Sequence, residues 1–532
     1  MLRKRLIQEG LPLLLFTVIG FLVMGYRPGL EDDGVYLTAV KARLNPALYP
    51  HDSDFFRLQM QASVFDGWMA QFIRWTGLSV AWAELLWQFV TLFLILWACR
   101  RIAALIFPEA RAQWAAVAMV AAMFTLPVAG TALNIADQHL HPRNLATAFI
   151  LMAVSYVFQG KLWPAVPLLL LALLLHPIMA ALGMSFCVFL ALALAQPVPF
   201  RLRATGGSLA AAAPMGWLFA PTTSGWREAV ASKVYYSVYR WTWYEWLGAL
   251  APLFLFWVLW RFARQGVQRP YAGAEAHDHS AALAARLKSC PVTKPCRTGE
   301  DAVRSAACET RLARFALAVF AYGVFQQVVA MALLGPEALM RLTPFQPMRY
   351  LHLVYIFMAL LAGGLLGRFV LKTKVWRWAI YLLVINGGMF LVQWELIDDG
   401  AHLELPWMAT ANPWLQAFNW IRVNTPTDAY FALDPRYLAA PGEGFHGFRA
   451  LAERSQLSDG IKDTAVVTEV PSLGTVWQQQ QLAQAGWQHF QLADFEQLKA
   501  QFGLDWVLVN YPQTSGLDCR WHNNALTVCQ IP

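Results

Sequence analysis

The chain has 532 residues, of which 58% are hydrophobic and only 14% charged, with a formal net charge of +8. A soluble protein of this length would carry roughly 25% charge, so an ordinary soluble globular fold is excluded and a helical multi-pass membrane protein is expected. The charge is divided by region. Residues 395–532 hold 7 Lys and Arg against 15 Asp and Glu, whereas the remainder holds 34 against 18, with its basic residues mostly in short loops. That is the positive-inside pattern of a membrane protein and not a nucleic-acid footprint.

Counting apolar runs long enough to cross a hydrocarbon layer of about 30 Å gives eleven spans. The first, 6–26, follows Arg3, Lys4 and Arg5 and has no small-residue cleavage site after it, so it is expected to be retained with the N-terminus in the cytoplasm. Residues 27–79 form the first external loop, in which DGWMAQFIRWTGL has the Trp-rich, amphipathic look of a helix lying on the membrane. Spans follow at 80–99, 114–130, 145–159, 162–176, 178–195, 205–220, 246–260, 313–334, 350–366 and 376–394. A basic segment, 261–314, is read as a cytoplasmic linker; its HDH at 277–279 and CPVTKPC at 290–296 lack zinc-site spacing.

Two domains result: a membrane module, 1–394, and an external α/β domain, 395–532. In the latter, WLQAFNWIRVNTP, TVWQQQQLAQAGW and LADFEQLKAQFG read as helices, and AYFALD, AVVTEV, DWVLVNY and ALTVCQI as strands. Cys519 and Cys529 are expected to form a disulfide if this end is exported, stabilising it by roughly 2–3 kcal/mol.

The candidate chemistry lies on the external face. The first loop contributes Glu31, Asp32 and Asp33, then Asp52 and Asp54. The loop NIADQHLHPRN contributes Asp137, His139, His141 and Arg143, and His176 ends the fifth span. Later loops contribute Lys233, Tyr235, Tyr236 and Arg240, then Arg341, Arg349 and His352. Charged groups at a membrane face are costly and usually serve a purpose. Carboxylates and imidazoles come from the early loops and cations from the later ones. The set suits sugar transfer from a lipid phosphate, which needs a carboxylate to take the proton of an acceptor hydroxyl and cations to meet the departing phosphate. Asp33, Asp137 and His139 are the candidates for a divalent metal such as Mg or Mn, although their spacing matches no recognised metal motif.

An acidic cluster after the first span, a long first external loop, about eleven spans and an exported α/β domain resemble the GT-C class of integral membrane glycosyltransferases. That class includes oligosaccharyltransferases, protein O-mannosyltransferases and the aminoarabinose transferases of lipid A. The resemblance rests on EDD at 31–33, on Asp137 to Arg143 and on Arg349. It implies that Asp32 or Asp33 is the base or a metal ligand, that Asp137 is the second acidic site, and that Arg349 and Arg341 meet the phosphate of a polyprenyl-phosphate-linked sugar. It also implies a place in the bacterial inner membrane with the α/β domain in the periplasm, and an envelope glycan, lipid or protein as acceptor. The tail lacks the WWDYG motif of oligosaccharyltransferases, so protein N-glycosylation is not implied, and the triple acid leaves the base unassigned. A transporter or lipid flippase and a non-catalytic scaffold are the competing classes; transporters usually place ionisable residues near the bilayer midplane, often in repeated halves.

Overall fold

The computed structural model describes residues 9–194, 222–280, 299–335, 337–396, 400–512 and 514–532. The expected span 205–220 and the cysteine pair 290 and 296 lie outside the described residues.

The chain begins with the apolar helix α1 (Leu11–Met24). The loop 27–79 then folds into three short helices, α2 (Asp33–Leu44), α3 (Asp54–Met60) and α4 (Phe65–Thr76). The last of these makes a helix of the segment read as amphipathic, with Phe65, Met69 and Ile73 buried along one side and Trp75 exposed. Helix α5 (Val80–Ile106) is capped by Ser79, whose side chain accepts from Trp82 N, and runs past Arg100 and Arg101. Helix α6 (Ala110–Ala122) leads into a small hairpin, β1 (Pro127–Val128) and β2 (Leu133–Asn134). Helices α7 (Pro142–Phe158), α8 (Ala165–Leu175) and α9 (Pro177–Ala193) follow. The turn between α8 and α9 is closed by His176, whose Nδ1 accepts from Met179 N.

Beyond the short helix α10 (Ser224–Ser232), two long helices, α11 (Trp243–Ser280) and α12 (Gly299–Leu334), extend well into the segment read as a linker. Helices α13 (Leu351–Leu365) and α14 (Val375–Leu396) complete the membrane module. Five helical stretches among the described residues are long and apolar enough to cross a membrane, and α1, α7, α8 and α9 are shorter apolar helices. Exposed apolar side chains such as Leu14, Leu15, Leu171, Phe254, Leu383 and Val384 would be untenable in water over so wide an area. The protein is a multi-pass helical membrane protein.

The tail contains α15 (Pro413–Asn424), β3 (Tyr430–Ala432), α16 (Phe448–Ala452), β4 (Ser455–Gln456), α17 (Lys462–Glu469), α18 (Gly474–Ala483), α19 (Leu492–Phe502), β5 (Trp506–Asn510), β6 (Asp518–His522) and β7 (Leu526–Gln530). Its mixed sheet has the order β4-β3-β5-β7-β6, parallel on the β4-β3-β5 side and antiparallel on the other. Cys519 and Cys529 face each other across β6 and β7 and are joined by the expected disulfide.

One element differs from its sequence signature. AVVTEV, β-branched and apolar, suggests a strand, yet it forms most of α17. Asp459 explains the reversal: its Oδ1 accepts from Ile461 N at 2.7 Å and Lys462 N at 2.5 Å, satisfying donors that a helix start leaves open. Val466 and Val467 then bury in the main apolar core of the membrane module, together with Trp477 of α18.

The tail is therefore docked on the loop 27–79 and does not stand apart from it. Glu31 N donates to Phe445 O and Gly447 N to Gly29 O, each at 2.8 Å. Lys41 Nζ bonds Ala450 O and Glu453 Oε1, both at 2.7 Å, while His51 stacks on Tyr430. Gly34 and Gly447 allow a close backbone approach: a Cβ on Gly447 would lie 2.6 Å from Gly34 Cα.

Candidate active site

A cavity of about 910 Å³ lies where the first loop, the β1–β2 hairpin, the junctions of α7 to α10 and the tail meet. Its lining includes Glu31, Asp32, Asp137, His141, Arg143, Arg341 and Arg349 from the sequence-derived set, together with Lys233, Tyr235, Tyr236 and His176. Residues separated by more than 300 positions are thus brought to one chamber.

The three adjacent acids are sorted by the start of α2. Asp32 is at the N-cap position, but its side chain makes no capping hydrogen bond. It turns to the cavity, where Oδ1 is 3.0 Å from Lys462 Nζ and Oδ2 is 3.5 Å from His141 Nε2. Protein surrounds the carboxyl, though 40% of the side-chain surface opens to the chamber. Burial alone would raise its pKa; the Lys462 ammonium, then His141 and Arg143, hold it well below the ordinary aspartate range.

Asp33 turns the other way. It is 2% exposed, and its Oδ2 accepts from Gly29 N at 2.6 Å, bracing the loop before α2. Burial raises its pKa despite the nearby His139 and the Gly29 hydrogen bond. Asp33 is absent from the cavity lining, as is His139, whose two ring nitrogens are buried without a hydrogen-bond partner. Glu31, at φ 49°, lies at the rim with Oε2 3.9 Å from Lys462 Nζ.

The second acidic loop is equally specific. Arg143 NH2 reaches both oxygens of Asp137 at 2.6 Å, with the two side chains 3% and 8% exposed. Burial opposes ionisation of Asp137, but Arg143 and the two histidines bring its pKa down to about 2. His141 Nδ1 accepts from Arg143 N at 2.9 Å, which leaves the imidazole proton on Nε2, facing Asp32. Burial and Arg143 push the His141 pKa down to about 4, so the ring is neutral near pH 7.

On the opposite side, Arg349 is steadied by its Nε donating to Gln346 Oε1 at 2.8 Å, and Gln346 sits in the left-handed region at φ 46°. Lys233 Nζ donates to Ile461 O at 2.6 Å; burial, then Lys462, lowers its pKa to about 8. Arg240 is not in the chamber: it is exposed and donates to Ala231 O. His352 Nε2 donates to Ile135 O, 2.9 Å away, behind the lining. Asp52 accepts from Tyr430 OH and from Gln480 Nε2, so it is a tether between loop and tail.

The metal candidates do not converge. Among the described residues no group of three or more His, Cys, Asp or Glu side chains is placed to hold a metal ion. Both Asp137 oxygens are engaged by Arg143, and Asp33 and His139 lie outside the lining, so Asp33, Asp137 and His139 do not form one ligand set in this arrangement.

The tail's contribution was not read from the sequence. Ile461, Lys462, Ala465, Thr468 and Glu469 of α17 and its N-terminal turn, with Phe445, close the chamber. The sequence signal was the helix start SDGIKD, an aspartate cap followed by a second acid in the first turn. Arg449 fixes that turn, donating to both oxygens of Asp463 at 2.7 and 2.9 Å in a buried pair.

No protein-family model matches the chain, and no curated protein matches it. Among solved structures it is similar to the archaeal oligosaccharyltransferase AglB from Archaeoglobus fulgidus, in complex with an inhibitory peptide and a dolichol-phosphate. That similarity covers 94% of this chain and 69% of the other at 11% sequence identity, with a TM-score of 0.38.

Proposed function

We propose that this chain is a GT-C-type membrane glycosyltransferase that moves a sugar from a polyprenyl-phosphate donor to an acceptor hydroxyl on an envelope glycan, lipid or protein. The observation that carries the reading is the meeting of an accessible carboxylate, Asp32, with Arg349, Arg341 and two lysines in one chamber beside apolar membrane helices. A chamber of this size accommodates a sugar and a phosphate.

In the proposed reaction the acceptor oxygen forms a bond to the anomeric carbon of the donor sugar. The acceptor proton passes to Asp32, and the bond from the anomeric carbon to the phosphate oxygen breaks with its electron pair staying on the lipid phosphate. Arg349 and Arg341 meet that charge, as preorganised cations do for a departing anion. Tyr235 offers a ring surface and hydroxyl to the sugar, backed by Tyr236, whose own hydroxyl is bonded to Thr468 Oγ1. Arg143 is committed to Asp137 and serves to hold that loop. The positive-inside pattern supports an external, periplasmic chamber in a bacterial inner membrane, with the N-terminus cytoplasmic.

The test is transfer by the purified protein in lipid nanodiscs, using a polyprenyl-phosphate-linked sugar and a mixed pool of envelope acceptors. Asp32-dependent appearance of glycosylated product is expected. Movement of the intact lipid across the bilayer without cleavage of the sugar–phosphate bond would instead identify a flippase.

A further inference from the structure

The pairing of Asp32 with Lys462 poses a chemical difficulty for the reaction just described, on which this inference rests. A base held by an ammonium is ionised but poorly disposed to take a proton. Something must draw Lys462 away at the moment the acceptor arrives.

The ion pairs around the chamber differ in how tightly they are locked. Arg143 and Asp137 are joined by two bonds at 2.6 Å and are almost fully buried. Lys462 instead makes one bond at 3.0 Å to Asp32 and a looser approach of 3.9 Å to Glu31, and those carboxylates have side chains 40% and 50% exposed. Partly solvated pairs of this kind are individually weak and readily exchanged. The backbone beneath Lys462 is rigid, because Asp459 caps α17 and Arg449 grips Asp463. Only the four-carbon stem needs to turn, and an ammonium on such a stem is a mobile point charge. Its neighbours are differently employed: Lys233 is spent on Ile461 O, and Arg349 is braced by Gln346.

We propose that Lys462 is a donor-reading residue. It holds Asp32 while the chamber lacks a donor and moves to the phosphate ester of the lipid-linked donor on binding, which frees Asp32 to act as base. The tail thereby takes part in the reaction through one side chain, and acceptor activation becomes conditional on the presence of a phosphate-bearing lipid.

The experiment compares wild type, Lys462→Met and Lys462→Arg in nanodiscs. Polyprenyl phosphate and the corresponding polyprenol, which lacks the phosphate, are the probes, and initial rates of transfer are measured across pH. Lys462→Met is expected to weaken polyprenyl phosphate binding about tenfold or more, the scale of a lost charge-assisted hydrogen bond, while leaving polyprenol binding unchanged. Lys462→Arg is expected to retain most of the phosphate preference, which separates loss of charge from misfolding.

The pH profiles add a readout that a merely structural lysine would not produce. The acid limb of kcat/KM reports the free enzyme and that of kcat the complex. In Lys462→Met the limb of kcat/KM should move to higher pH, because Asp32 has lost its ammonium, while the limb of kcat stays in place. Equal binding of polyprenyl phosphate by wild type and Lys462→Met, or a parallel shift of both limbs, would overturn the proposal while leaving the transferase reading intact. A wild-type protein that does not distinguish polyprenyl phosphate from polyprenol would overturn both. Inorganic phosphate, tested alongside, should compete weakly; competition equal to that of the lipid would make this a site for free phosphate and refute the assignment.

Discussion

Lys462 Nζ lies 3.0 Å from Asp32 Oδ1, across 430 residues of chain. That contact joins the C-terminal domain to the loop after α1 at the wall of the chamber. It separates Asp32 from its neighbours in the EDD cluster, since Asp33 is turned inward to Gly29 and Glu31 lies at the rim. Asp32→Asn should reduce transfer about 10²- to 10⁴-fold, the usual contribution of a general base, with donor binding retained. Asp33→Asn should act on the loop, lowering thermal stability, because it weakens a buried acceptor for Gly29 N. Thermal unfolding and donor binding, measured on both variants, distinguish the two effects.

Asp137 and Arg143 are expected to behave as a structural unit. Replacing Asp137 by Leu leaves a buried guanidinium without its partner, which typically costs about 3–5 kcal/mol. The double replacement Asp137→Leu with Arg143→Met should recover a substantial part of that loss. A double-mutant cycle by thermal unfolding in detergent checks the coupling; additive losses would show that the pair is not a unit.

His141 gives a pH expectation whose sign is set by its environment. Its folded pKa, about 4, is below the ordinary value of about 6.5, so the neutral ring contributes stability that is present above about 6.5 and lost as pH falls through about 4. Transfer should therefore show no loss near pH 6.5 attributable to this histidine. Observing its ring by NMR during titration, with His141→Gln to assign the signal, would reveal a transition near pH 6.5 if the account is wrong.

Asp459 titrates in the opposite sense. Burial and the adjacent Asp463 raise its pKa to about 7, above the ordinary value of about 3.9. Its contribution is fully present below about 3.9 and is lost as pH rises through about 7. Asp459→Asn keeps a capping oxygen and removes the charge, so it should flatten the fall in stability of the tail between about pH 4 and 7. Limited proteolysis of the tail across that range is the measurement.

The docking of the tail depends on two residues without side chains. Gly447→Ala would place a Cβ 2.6 Å from Gly34 Cα, against backbone that cannot easily yield. A loss of about 1–3 kcal/mol, typical of overpacking, should appear as earlier proteolytic release of the tail and as lower transfer activity. Unchanged protease resistance would show that the approach is not tight in solution.

The sequence was legible where the signal was local. Apolar runs located most of the helices, the amphipathic helix Phe65–Thr76 showed its Trp-rich pattern, and β5 and β7 declared themselves in DWVLVNY and ALTVCQI. AVVTEV was misread because β-branched propensity is weaker than a cap and a buried face: Asp459 and the packing of Val466 and Val467 decide for helix. Neither the choice of Asp32 over Asp33 nor the arrival of Lys462 could be read from spacing. The first depends on which way a helix start turns two adjacent side chains, and the second on how a distant domain docks. Arg240, though on the expected loop, points to Ala231 O because the turns around Val238 direct it outward.

In the proposed reaction Asp32 is the carboxylate that activates the acceptor in this chamber. Its most direct test is single-turnover transfer from a polyprenyl-phosphate-linked sugar, with wild type, Asp32→Asn and Asp33→Asn at equal, saturating donor occupancy. Asp32→Asn is expected to fall at least about 100-fold, with Asp33→Asn, once corrected for folded fraction, near the wild-type rate. An Asp32→Asn protein that turns over at the wild-type rate would contradict it.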